Sequence, residues 1–88
     1  MFEDLGFPKE EAAHLLIRAD LMHQLKRVID ARRLTQKDAA KTLGVSQPRI
    51  SDLVRGRIDL FSIDTLVEML THLDVAVTVT TRHRSRVA

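Results

Sequence analysis

Gln36-Lys37-Asp38-Ala39-Ala40-Lys41-Thr42-Leu43-Gly44-Val45-Ser46-Gln47-Pro48-Arg49-Ile50-Ser51-Asp52-Leu53-Val54-Arg55 is the stretch that decides the fold. It reads as two short helices on either side of Leu43-Gly44-Val45. Thr35 opens the first, over about Gln36 to Thr42. Its hydroxyl can cap the free N–H groups, and Asp38 three residues on makes the start box-like. Gly44 is free to take the positive φ that stops a helix. Ser46 caps the second helix, which runs to about Val54 with Pro48 tolerated in its first turn and Gly56 as its stop. Two helices crossing this closely need a small residue at the contact, and Ala40 supplies it. On the second helix Leu53 and Val54 fall within about 60° of Ile50, and the three are expected to face the first. Pro48, Asp52 and Arg55 point the opposite way, flanked by Ser51 and Arg49. A helix that is apolar on one side and short, polar and partly cationic on the other can enter a major groove, N-terminal residues at the base edges.

Upstream, a long helical pattern follows Pro8, from about Lys9 to Arg32, with Glu10 and Glu11 in its first turn and Arg32 and Arg33 at its end, as the helix dipole favours. Its apolar stripe changes face. Ala12, Leu15, Leu16 and Ala19 lie together, and Leu21, Met22, Leu25, Val28 and Ile29 lie together, offset by roughly a third of a turn. The second group is expected to cover the chain's own core. The first either packs on a neighbour or marks a break near Asp20. Downstream, a helix fits Ser62 to His72, with Ile63, Leu66, Val67 and Leu70 on one side; Met22 and Met69 sit at core spacing. Val75-Ala76-Val77-Thr78-Val79-Thr80-Thr81 then alternates with period two, the single strand signal in the sequence.

The 88 residues fit a single domain, 1–88, within the usual range of about 50–250 residues. Within it the reading distinguishes an N-terminal extension and first helix half (1–20), the two-helix unit (36–55), a dimerisation strand (75–81) and a flexible tail (82–88). No apolar run approaches the ~20 residues of a membrane span, and Met1-Phe2-Glu3-Asp4-Leu5 is acidic where an export signal would be basic. The sequence has no cysteine, which fits a reducing cytoplasm and leaves no disulfide or thiolate metal site. Charge is unevenly spread: residues 32–57 hold seven basic and two acidic side chains, whereas the chain as a whole has a net charge of +2. That concentration is the pattern of a phosphate-facing surface. With three Phe, no Trp and no Tyr, few platforms exist for stacking unpaired bases, so a duplex is favoured over a single strand. His14, His23, His72 and His83 lack the close pairing of a zinc motif, and no serine sits on a nucleophile turn. Neither a metal, a cofactor nor an enzymatic activity is expected.

Leu34-Thr35-Gln36-Lys37-Asp38-Ala39-Ala40 and Leu43-Gly44-Val45-Ser46-Gln47-Pro48-Arg49-Ile50-Ser51 resemble the lambda-repressor-like, or Xre-type, helix-turn-helix family, and the resemblance extends over about Leu25 to Leu73. Gln36, Ala40, Gly44, Ile50 and Leu53 fall where that family places its helix-starting Gln, small contact residue, turn Gly and two core residues. The resemblance implies an all-α bundle, here with one C-terminal strand. It implies a phosphate contact from Gln36, bases faced by Gln47, Pro48 and Asp52, and backbone or base-edge positions for Ser46, Arg49 and Arg55. Ser51 and Arg57 complete the candidate DNA-binding set. Asp52 departs from the neutral or amide residue usual there: an acid can accept from cytosine N4 but repels phosphate. Ser62-Ile63-Asp64-Thr65-Leu66 followed by the valine-rich segment is similar to small antitoxins of the HigA kind, which bind a ribosome-dependent mRNA-cleaving toxin and repress their own operon.

Each of these residues also has a plainer reading. The basic side chains can be a solvated face, Gln36 and Gln47 can be capping-region side chains bonded to their neighbours, and the Arg82-His83-Arg84-Ser85-Arg86 tail can be a disordered end. Three functions follow: an autoregulatory antitoxin that binds a palindromic duplex operator and a small basic toxin, a stand-alone regulator, or an interaction module that kept the fold without DNA binding. An isolated strand needs an edge to pair with, so Val75, Val77 and Val79 are expected to pair with a second copy in a homodimer.

Overall fold

The computed structural model describes residues 9–83, which form α1 (Lys9–Ala31), α2 (Gln36–Leu43), α3 (Gln47–Val54) and α4 (Ile63–His72), with a short 3-10 turn at Ile58–Leu60. The sequence expectations for Met1–Leu5, Pro8 and Arg84–Arg86 lie outside the described residues.

Three of the four helices start on a hydroxyl cap. Thr35 Oγ1 accepts from the Asp38 N–H, Ser46 Oγ from that of Arg49, and Ser62 Oγ from that of Thr65. All four helices end in the same way. The first residue past α2, and the second past each of the others, takes a positive φ, and two backbone N–H groups fold back onto the last turn, satisfying carbonyls that the helix leaves open. At α2 the pair is Gly44 to Lys41 and Val45 to Ala40, with Gly44 at φ 69°. At α3 it is Gly56 to Leu53 and Arg57 to Asp52. At α1 and α4 the left-handed position falls on Arg33 and Asp74 instead of glycine.

The core is built as the periodicity predicts for the second half of α1. Met22, Leu25 and Ile29 are buried there, and they meet Ala39, Ala40 and Leu43 of α2, Ile50 and Leu53 of α3, and Leu66, Met69 and Leu70 of α4. Burying each Leu- or Ile-sized side chain contributes about 1.5–3 kcal/mol. Arg32 ties the ends of α1 and α4 together, its guanidinium donating to the Leu73 carbonyl at 2.7 Å.

Three expectations need correction, and one buried residue carries no signal in the sequence. α1 does not break near Asp20 but continues from Lys9 to Ala31, because no proline or glycine interrupts it. Its first half therefore projects Leu16 and Ile17 to solvent, 51% and 47% exposed. Val54 does not face α2. It is the last helical residue and is 42% exposed, beyond the contact that Ile50 and Leu53 make. Among the described residues there is no strand: residues 75–83 carry no ladder, since no second extended segment of this chain lies beside them. Their alternation survives only in part. Val75 and Val77 pack against the core, whereas Val79 is 82% exposed. Finally, Phe61, which no periodicity singles out, is 1% exposed and closes the core between α3 and α4.

Candidate nucleic-acid interface

α2 packs on α3 through the crossing that buries Ala39 and Ala40. With Ile50 and Leu53 fully buried beneath it, the opposite side of α3 is left to solvent. Gln47 and Pro48 are exposed in its first turn, Ser51 and Asp52 are half-buried along its flank, and Arg55 is exposed at its C-cap. Pro48 sits within the first turn, where the N–H it lacks would have no helical acceptor. One helix thus presents Gln47, Pro48, Ser51, Asp52 and Arg55 together. Gln36 is exposed as the first residue of α2, where helix N–H groups favour an anion.

The capping roles fall to Thr35 and Ser46. Among the described residues neither Gln36 nor Gln47 makes an intramolecular side-chain hydrogen bond, so both amides remain available to a ligand. Arg55 and Asp52 are one turn apart and joined, the guanidinium donating to Asp52 Oδ1 at 2.9 Å. Arg57 is exposed just past the helix, its Nε 3.9 Å from Asp59 Oδ1.

Arg49 is the site residue that the sequence places least well. It is half-buried and turned away from the outer face: its guanidinium donates to the Leu60 carbonyl at 2.8 Å and lies 4.1 Å from the centre of the Phe61 ring. A cation held over an aromatic face and tied to a carbonyl fixes α3 against the connection to α4. Sequence reasoning missed Leu60 and Phe61 as its partners, because they belong to a 3-10 turn and a linker with no period of their own. Val75, Val77 and Val79 lie apart from this face. Val77 and Val79 instead line a groove of about 380 Å³ with Leu16, Ile17, Leu21, Ile63 and Val67. The apolar half of α1 and the valine segment, which the sequence treats as separate surfaces, are two walls of one groove.

A capped helix pair with a close crossing, carrying one helix whose outer face is polar, defines a helix-turn-helix domain of the kind that enters a duplex groove. The family model described as "Helix-turn-helix domain" matches residues 1–82. A solved structure, "Putative XRE Family Transcriptional Regulator", is similar with a TM-score of 0.80 and 33% identity, over 89% of this chain and 88% of that one. No curated protein matches. The chain belongs to the helix-turn-helix family, of the XRE type.

Proposed function

We propose that this chain is a sequence-specific, duplex-DNA-binding transcriptional repressor that reads a palindromic operator as a homodimer. DNA-binding transcription regulation follows from the family and its XRE-type structural neighbour. The observation that carries the reading further is the outer face of α3, where Gln47, Pro48, Ser51, Asp52 and Arg55 stand together on a helix anchored from behind by Ile50 and Leu53. Gln47 faces base edges, Gln36 and Arg55 contact phosphates, and Arg57 adds positive charge beside them. Reading successive major grooves of a palindrome takes two recognition helices about 34 Å apart, hence two copies. The groove between Leu16, Ile17, Val77 and Val79 supports a second copy at that place, because exposed valine and leucine meet there around residues 77–80, whose backbone groups make no hydrogen bond among the described residues. Selection of duplexes from a random library, followed by a footprint on the selected site, tests this. Two protected half-sites one helical turn apart are expected.

The finer reading is an antitoxin that works in the cytoplasm, represses its own operon and covers a small basic mRNA-cleaving toxin. Leu16 and Ile17, next to an α1 first turn that carries Glu10 and Glu11, support it as an acidic, apolar cover for a basic partner. The same groove favours a second reading. If another copy fills it, Leu16 and Ile17 are used within the dimer and the chain is a stand-alone regulator. Co-expression with the product of the adjoining open reading frame distinguishes them. Co-purification that is lost on Leu16→Asp, with operator binding retained, supports the antitoxin; no co-purification supports the regulator.

A further inference from the structure

Asp52 stands on the outer face of α3 among groups expected to meet DNA, yet a bare carboxylate there is repelled by every phosphate near it. The structure supplies the missing partner. Arg55, one turn on, holds Oδ1 at 2.9 Å, and the two side chains are 26% and 61% exposed for Asp52 and Arg55 respectively. The pair is neutral as a unit. Among the described residues Oδ2 has no partner, and Arg55 has used one of the five donors of its guanidinium. The acid is thus biased toward one orientation with an acceptor free.

Base chemistry then selects what that acceptor can meet. In the major groove guanine presents the N7 and O6 acceptors and thymine the O4 acceptor, both repelled by a carboxylate. Adenine offers its N6 donor beside its own N7 acceptor, whereas cytosine offers its N4 donor and no acceptor on its own major-groove edge. We infer that Asp52, oriented and neutralised by Arg55, is a specificity-determining residue that accepts from cytosine N4 in each half-site. The inference rests on the duplex-binding function proposed above. Arg55 keeps its remaining donors for the phosphate backbone, so one pair of side chains carries a base contact and a backbone contact from adjacent turns.

The test is selection from a random duplex library by the full chain, by Asp52→Asn and by Asp52→Ala, with far-UV circular dichroism showing that each is folded. The wild-type chain should enrich cytosine at one fixed position per half-site, with a preference of about tenfold over other bases. Asp52→Asn should move that preference to adenine, which an amide can bond through both N6 and N7. Asp52→Ala should lose the preference there and keep it at the remaining positions. Enrichment of the same sites with the same base preferences by all three chains would overturn the role of Asp52 while leaving duplex reading intact. Failure of the wild-type chain to enrich any duplex would overturn the duplex-binding function, and the cytosine contact with it.

Discussion

The guanidinium of Arg49 lies 4.1 Å from the centre of the Phe61 ring and donates to the carbonyl of Leu60, so a residue of the recognition helix is anchored on the linker that leads to α4. Phe61 is itself buried, which makes the anchor rigid. The orientation of the outer face of α3 therefore depends on contacts made behind it. Arg49→Ala should lower stability by about 1–2 kcal/mol, the sum of a partly exposed cation–π contact and a charge-assisted hydrogen bond. Phe61→Ala removes the platform and opens the core, and should cost about 3–5 kcal/mol. Urea unfolding followed by circular dichroism measures both. An Arg49→Ala chain as stable as the wild type would show that the anchor contributes nothing.

Gln47 and Arg55 should fail in different ways. Gln47→Ala removes a base-edge contact and should weaken selected duplex by roughly 1–3 kcal/mol while leaving random duplex unchanged. Arg55→Ala removes a phosphate contact and leaves the Asp52 carboxylate uncompensated, so it should weaken both duplexes, the selected one more, and reduce the slope of log K against log salt by about one unit. Fluorescence anisotropy at several salt concentrations separates the two patterns, and identical behaviour of the two variants would contradict the division of roles.

Left-handed residues at the helix ends give a stability prediction independent of DNA. Asp74 sits at φ 60° without being glycine, a conformation that costs L-residues roughly 1–2 kcal/mol. Asp74→Gly should therefore raise the melting temperature by a few degrees, the relief being partly offset by the freer unfolded chain. Gly44→Ala should do the reverse. A Cβ there would meet nothing within 4 Å, so the loss of about 1 kcal/mol comes from backbone strain at φ +69° alone. Equal melting temperatures for all three chains would contradict the account of the caps.

The groove between α1 and the valine segment predicts assembly. Val79 is exposed beside Leu16 and Ile17, so Val79→Asp should place a charge in any interface formed there. Sedimentation at micromolar concentration should show a dimer for the wild type and a species near 10.0 kDa for the variant. A wild-type chain that sediments as a monomer would remove the homodimer.

The sequence makes the helix-turn-helix legible because its signals are local. Thr35 and Ser46 cap where expected, Gly44 takes the positive φ, and Ile50, Leu53 and Ala40 are buried where the geometry of two crossing helices puts them. What it conceals is tertiary. Arg49 looks outward on a helical wheel, but its side chain is long enough to turn back onto Phe61. The Ile58–Leu60 turn is too short to leave a period, so the burial of Phe61 next to it has no local signal. The alternation of Val75, Val77 and Val79 is real in the chain, yet strand pairing depends on a partner edge, and alternation alone does not supply one. The pairing of Asp52 with Arg55 was open to inspection at a spacing of three on one helix, and that spacing is a signal a sequence reading can use.

The most direct measurement of the central claim is the affinity of the full chain for the duplex it selects from a random library against an unselected duplex of equal length, at physiological salt. The account predicts tighter binding to the selected duplex by about 10³-fold or more, with an affinity that falls linearly on a log–log plot as salt rises. Equal affinity for the two duplexes, or no binding to either, would contradict it.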